Sequence, residues 1–571
     1  MATQNPWLSP LQRGYQQIKQ RLIEKLLALK DDKGKPLITD TSEGNILVLI
    51  LSLFSGIAEV IHVYIDNLAR ESFFSSARRY DSLVKHGRLV DYHPKAATAA
   101  LCDVVFTRPF TESNNSVTFP AGLTFSDSLG NPWVLQSTIT LPSNSSQVTG
   151  VFVQHQLFTG ALSGTTYQDE SDGIVKATMD SVSSKLVEHL SSTQVTVGGD
   201  SYAEVETFAY SKPTDKHFIL QTDESGTLVM IFGDGVYGFK PSTGLAVKGS
   251  CYLTQGSKGN IEPAAITGSY EGCSYSNFQA GGGSDYEDFN TLKRRIPLST
   301  KTLGVAVTKQ DYIDLALQIG EVSQAALEYI CGRKLNIYIS PVGGGVAPSG
   351  VCTRVKNYLA LHAPLNTWLN VVPAGISNIV LDVDVVGRPS YKEQDIKNGI
   401  ISALAAAYPS DGPIGGKVRL SDIYALIDNV PSVDYLHLNK FYVMPWPKAI
   451  FGNAQLKVTG FNLEKTNGTA RYLVEMISAN RVRILPYDNI TTFDSNAQTS
   501  YQQFEGDLKT EIAVNYPRGF QFNIKFDGQG FREGYKYEFT VSDANADYDK
   551  SGFNIPVFNA SDLTLHITET L

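Results

Sequence analysis

The residues best placed for metal chemistry lie near the C-terminus, where Asp543, Asn545, Asp547 and Asp549 stand at alternate positions of one short tract. Oxygen ligands at that spacing match the opening of a calcium loop, because a hard cation gathers carboxylate and amide oxygens. The tract departs from such loops where they carry a glycine (Tyr548) and a bidentate glutamate (Asn554). A solvated acidic hairpin loop is the simpler expectation. Asp382 and Asp384 form a second carboxylate pair, two residues apart and therefore on one face of a strand. Alternation along a half-exposed edge accounts for them without catalysis. Gly281, Gly282 and Gly283 precede Ser284-Asp285. That order could form an anion nest at a helix start, but a flexible hinge is the expected role.

Other chemistry finds no constellation. The nine histidines are dispersed, with no HExxH pair and no His/Cys cluster at ligand spacing. No G-x-S-x-G elbow or phosphate-cradling Gly-Lys-Ser/Thr is present. Cys102, Cys251, Cys273, Cys331 and Cys352 are odd in number and hold no C-x-x-C pair, a pattern that fits reduced thiols. The expectation is a protein with no catalytic residues and no cofactor.

The elements around these residues indicate an α+β multidomain chain. At 571 residues several cores are needed, and 42% hydrophobic content is enough to fill them. A net charge of −9 with no basic stripe argues against general nucleic-acid binding. The N-terminus lacks the basic-then-apolar order of a signal peptide. Leu11, Tyr15, Ile18, Leu22, Leu26 and Leu29 repeat at three and four residues, placing one apolar stripe on a helix over 8–30. That stripe suits either a core-facing helix or a bundle with partner chains. The run Ile46–Ile65 has the length of a membrane span, but Glu59 and His62 interrupt it and clustered flanking Lys/Arg are absent. A buried bundle helix, capped from Asp40 or Ser42, is expected there instead.

The rest of the chain centres on residues 229–262. A β-rich run enters Gly233-Asp234-Gly235, Gly238 follows, and a second β-rich run ends in Gly256, Gly259 and Asn260. Asp-Gly between two such runs predicts a hairpin. A short helix is expected around Ser181–His189 inside an insert at 171–212. Beyond 311, helices and strands alternate as in two small α+β units with antiparallel sheets, and 448–571 reads as β-sandwich or small barrel.

The FGDGVYG tract with its G-x-x-G-N ending resembles the baseplate J-like family, inner wedge proteins of contractile-tailed phages and related injection systems. So do Ser42-Glu43-Gly44-Asn45, Tyr64-Ile65-Asp66, Glu71-x-Phe73, Ala77-Arg78-Arg79, the Gly-Gly-x-Asp joint and Val307-Thr308-x-x-Asp311-Tyr312. The resemblance spans roughly residues 40–445. It implies a structural subunit of the virion tail baseplate, assembled in the bacterial host cytoplasm. A second copy would share each wedge. N-terminal helices would bundle with other wedge subunits, and neighbouring wedges, sheath-initiator and hub proteins would be further partners, with no nucleic acid and no membrane. The expected divisions are an N-terminal helical segment (1–95), a β-rich central domain (96–280), α+β units at 281–375 and 376–447, and a C-terminal β domain (448–571). Two other classes stay open: a carbohydrate- or calcium-binding adhesin, and a membrane-anchored assembly factor using residues 46–65.

Overall fold

The computed structural model describes residues 14–30, 34, 39–42, 44–90, 92, 94–108, 115–143, 145–159, 164–170, 173–178, 186–188, 194–205, 207–222, 228–302, 304–331, 333–451, 455–462, 470–478, 481–487, 502–505, 512–515, 521–527, 536–541, 548 and 553–569. The chain is α+β and multidomain. It divides into two units, Met1–Pro94 with Asp288–Ile296, and Lys95–Glu287 with Pro297–Leu571.

The first unit holds α1 (Tyr15–Leu27), α2 (Ile46–Glu71), α3 (Tyr80–Arg88) and the start of α4 (Phe289–Thr302). The cap of α2 is Asn45, whose side chain accepts from the Leu47 N–H at 2.9 Å, and not Asp40 or Ser42. At the far end of α2, the Glu71 carboxylate accepts the backbone N–H groups of Arg78 and Arg79 at 3.0 and 3.3 Å. It thereby fixes the corner into α3. Short α3 buries Tyr80, Leu83 and Val84, and Leu292 and Ile296 of α4 complete that core. This is why residues 288–296 leave the expected 281–375 unit: nine residues of α3 alone cannot cover their apolar face.

In the second unit, Leu101–Thr107 lies inside a six-stranded sheet, between Cys273–Asn277 and Gln147–Val153. Phe106, Phe119, Trp133 and Phe152 fill its core. Asp127 turns the chain at Gly130-Asn131-Pro132. Its carboxylate accepts from the N–H groups of Leu129 and Asn131 and from the indole N–H of buried Trp133.

The predicted hairpin around Asp234 does not form. Leu228–Phe232 pairs with His217–Thr222 and Val175–Thr178, whereas Ala246–Thr254 pairs with strands at 156–159, 164–165, 186–188 and 194–197. The glycine-rich tract is a connection between two parts of a nine-stranded sheet. Of the helix expected around 181–189, Leu186–Glu188 is instead a strand in that sheet, and its other positions lie outside the described residues.

The α+β units follow the predicted element order with mixed sheets. Val322–Cys331, Lys334–Pro341 and Trp368–Pro373 form one sheet, and its last pairing is parallel. It packs beneath α5 (Lys309–Gln318) and α6 (Ser349–His362). The capping box of α5 joins Thr308 and Asp311, as a Thr three residues before a carboxylate predicts. In the next sheet Gly375–Gly387 alternates buried and half-buried along its whole length, under α7 (Glu393–Ala407) and α8 (Leu420–Asp428). Its partners are Val433–Val443 and, in parallel, the last strand Asn554–Glu569. The chain therefore returns at its end to the unit expected to close at 447. The strands described within 448–541 form five- and three-stranded sheets in between. The return is locked by Phe553, stacked on Tyr338 at 4.2 Å, and by buried Ile555 and Val557.

Candidate assembly surface

Helix α1 has no fully buried residue. Tyr15, Ile18, Leu22 and Leu26 are half-buried, Leu29 is exposed, and Leu11 lies outside the described residues. The helix packs on α2, and the described part of the stripe, Leu29 excepted, is half-buried.

Helix α2 is built the other way round. Its buried positions are Val48 and Ser55, with Ser52, Glu59, His62 and Asp66 half-buried beside them. The Ser52 and Ser55 hydroxyls donate back to the Val48 and Leu51 carbonyls at 2.8 and 2.6 Å. The small and polar side is thus the shielded side. Ile46, Ile50, Leu53, Ile57, Val60 and Tyr64 face outward, exposed by 42–72%. Their spacing is four, three, four, three, four, the repeat of a helix–helix seam. Phe54, Ile61 and Leu68 form a second exposed row seven residues apart. At 26 residues α2 is about 39 Å long. The expected burial is corrected: in this chain its most apolar 18 residues, with mean hydropathy 2.3, are 11% buried. An apolar face of this size on a folded chain marks an interaction surface. Sequence reasoning missed it because a helix apolar nearly all round reads as buried; the 4-3-4 spacing was the available signal.

Two glycine tracts, 256–260 and 281–283, meet in the second unit. Gly281, Gly282 and Gly283 are buried. Gly281 exchanges backbone hydrogen bonds with Leu101 in both directions at 3.0 Å, and the Gly282 N–H donates to the Val342 carbonyl. The Asn260 side chain clasps Gly283, accepting its N–H and donating to its carbonyl, both at 2.9 Å. Asp285 holds the other end of that turn through the Ser257 N–H and hydroxyl. A Cβ on Gly283 would lie 2.3 Å from the Gly256 carbonyl oxygen, and one on Gly281 would lie 2.9 Å from Pro341. The tract expected to be a hinge sits in a packed seam, with its backbone groups spent on neighbours.

The FGDGVYG tract has an equally local logic. Asp234 accepts the N–H groups of Val236 and Tyr237 at 2.8 and 2.7 Å, and the Gly235 N–H donates to the Gly238 carbonyl. These bonds hold the Asp234 carboxyl below its ordinary value. A Cβ on Gly233 would lie 2.3 Å from the backbone of Gly238, and Gly235 and Gly238 have φ of 94° and 83°. Only glycine closes this loop on itself.

Asp382 and Asp384 lie on the central strand of their sheet, not on an edge. Asn439 donates to both, and His566 Nε2 lies 3.3 Å from Asp382. Asp543, Asn545, Asp547 and Asp549 lie outside the described residues. Burial, and then the Asp103 charge, pushes the Cys352 thiol up to about 12, and burial raises Cys102 as well. Both thiols stay protonated at neutral pH.

Among solved structures, this chain is similar to one from the sixfold-symmetrised cryo-EM baseplate of the anti-feeding prophage, with 11% identity, a TM-score of 0.27, and coverage of 76% of this chain and 94% of that one. It is also similar to a chain of the type VI secretion system TssK-TssF-TssG baseplate subcomplex, with 11% identity, a TM-score of 0.18, and coverage of 57% and 96%. Overlaps this low do not establish a shared fold. No family model and no curated protein matches the chain.

Proposed function

We propose that the chain is a structural, non-enzymatic subunit of a contractile-tail baseplate wedge, of the baseplate J-like type. The observation that carries this reading is the outward apolar face of α2, which a solitary protein would have to leave in water. Two adjacent exposed rows call for more than one further helix, as in a multi-helix bundle with other wedge subunits. The paired glycine tracts and the self-closing FGDGVYG loop supply the physical reason for the motifs that carry the resemblance. In this reading a second copy completes the wedge, and the ring of wedges holds the baseplate around the hub until host contact rearranges it.

The test co-expresses the full-length chain, with and without Leu53→Glu and Ile57→Glu, with the other tail proteins of its source and weighs the products by mass photometry without detergent. Wild type should form discrete larger complexes that the double variant does not. Complexes unchanged by the two glutamates would sink the role of α2.

A second reading rests on the same helix, which by length and composition could cross a membrane. Co-flotation of the wild-type chain with lipid vesicles, abolished by the same two glutamates, would favour it.

A further inference from the structure

A different surface, in the second unit, points to another partner. Around one end of the three-stranded sheet of 322–373 lie Val305, Val307, Leu361, Leu365 and Trp368, each exposed by between 50% and 89%. They are brought together by specific bonds rather than by sequence proximity. The Ala306 N–H donates to the His362 carbonyl at 2.9 Å, and His362 Nδ1 lies 2.7 Å from the Gly304 carbonyl. Arg333 Nη1 donates to the Leu365 carbonyl at 3.1 Å, and the Trp368 N–H donates to the Arg333 carbonyl at 2.9 Å. Lys334 pairs with Trp368, its ammonium 5.8 Å over the indole, whereas Tyr329 pairs with Leu335 and so belongs to the other face of the sheet. The platform is therefore fixed before any partner arrives, which lowers the entropy lost on binding.

Its charge is opposite to that of the chain. Segments 301–310, 329–335 and 360–370 carry Lys301, Lys309, Arg333 and Lys334 and no Asp or Glu, in a protein of net charge −9. Of the carboxylates next along, Asp311 is turned onto the N–H groups of Val307 and Thr308, and Glu328 accepts from the Tyr338 hydroxyl at 2.9 Å. We infer that this end of the unit docks an apolar segment flanked by carboxylates from another protein. Trp368 and Leu365 act as the anchors, and Arg333 and Lys334 select the charge. A second copy meeting this face by twofold symmetry would set these cations against themselves. The inference stands independently of the baseplate reading and of α2.

The probes are two amphipathic peptides of about 16 residues with one leucine stripe, identical except that one carries Glu and the other Lys on the remaining positions. Binding to the full-length chain is measured at two salt concentrations, alongside the variants Trp368→Ala and Arg333→Glu/Lys334→Glu. All three side chains lie at the surface, and an unchanged melting temperature is the folding control. The Glu peptide should bind roughly ten-fold or more tightly than the Lys peptide and weaken with salt. Trp368→Ala should remove most of that affinity, and the double charge reversal should invert the preference. Equal binding of both peptides, or no binding of the Glu peptide, overturns the inference. Self-association of the wild type that Trp368→Ala abolishes would also overturn it, in favour of a second copy.

Discussion

Gly283→Ala separates a hinge from a clasp. In a flexible joint, alanine would be neutral or mildly stabilising, because it restricts the unfolded chain. In the packed seam its Cβ would stand 2.3 Å from the Gly256 carbonyl oxygen and 3.0 Å from both Ala100 Cβ and Asn260 Oδ1. The first of these is backbone, so no rotamer change relieves it. Overpacking of that kind costs about 1–3 kcal/mol. Moving the strand aside also lengthens the two Asn260–Gly283 bonds, at roughly 1 kcal/mol each. The expected loss is about 3–5 kcal/mol. Gly244→Ala is the control: φ is 81° but nothing lies within 4 Å, so only the left-handed cost of about 1–2 kcal/mol applies. Denaturant unfolding of the two variants gives the comparison, and hydrogen exchange over 256–260 and 279–285 locates the damage. A Gly283→Ala protein as stable as wild type would refute the clasp and restore the hinge.

Other substitutions probe different parts of the second unit. Arg354 pairs with Glu321, whose side chain is 5% exposed. Arg354→Met should cost about 3 kcal/mol by leaving a buried carboxylate, and adding Glu321→Leu should recover most of it in the same unfolding assay. Asp127→Asn should destabilise by roughly 2 kcal/mol at pH 7, because a charged acceptor for several N–H groups is lost. Burial acts to raise the Asp127 carboxyl, but its hydrogen bonds prevail and hold it below 3.8. Its contribution is therefore present above the unfolded value and lost as pH falls through the folded one. The gap between Asp127→Asn and wild type should narrow below about pH 4. Cys352, half-buried and with its thiol pushed up to about 12, should react with iodoacetamide at pH 8 far more slowly in the native protein than after unfolding, read by mass spectrometry; equal rates would contradict the raised thiol.

What the sequence made legible was local. The apolar stripe of α1 and the alternation around Asp382 and Asp384 were readable because each is a periodicity within one element, whatever covers it. The misreadings concern partners far along the chain. Asp-Gly between two β-rich runs predicts that those runs pair, but the tract closes on itself through Asp234, and each strand finds a distant neighbour. A triple glycine reads as freedom when its neighbours are unknown. Here Asn260, 23 residues earlier, and Val342 occupy its backbone groups. The last strand joins Gly375–Gly387 across an excursion of more than a hundred residues, and no periodicity announces such a return.

Helix α2 shows the same limit with a functional consequence. Composition says that this helix must leave water, and it is silent on whether this chain or another molecule provides the cover. Only the folded arrangement decides, because α1 takes the serine-lined side and leaves the isoleucine and leucine rows outside. Had α2 served the chain's own core, the side buried against α1 would be its most apolar one. Covering the polar side internally makes sense when the apolar rows have an external destination. Gly56 lies mid-helix on α2, where an added Cβ would meet nothing within 4 Å. Gly56→Ala should therefore raise the stability of the isolated chain by about 1 kcal/mol and leave a partner room to pack. If the substitution instead blocks complex formation while the chain stays folded, a neighbouring helix must approach closely at Gly56, and the contact extends beyond the two exposed rows to the flank of α2.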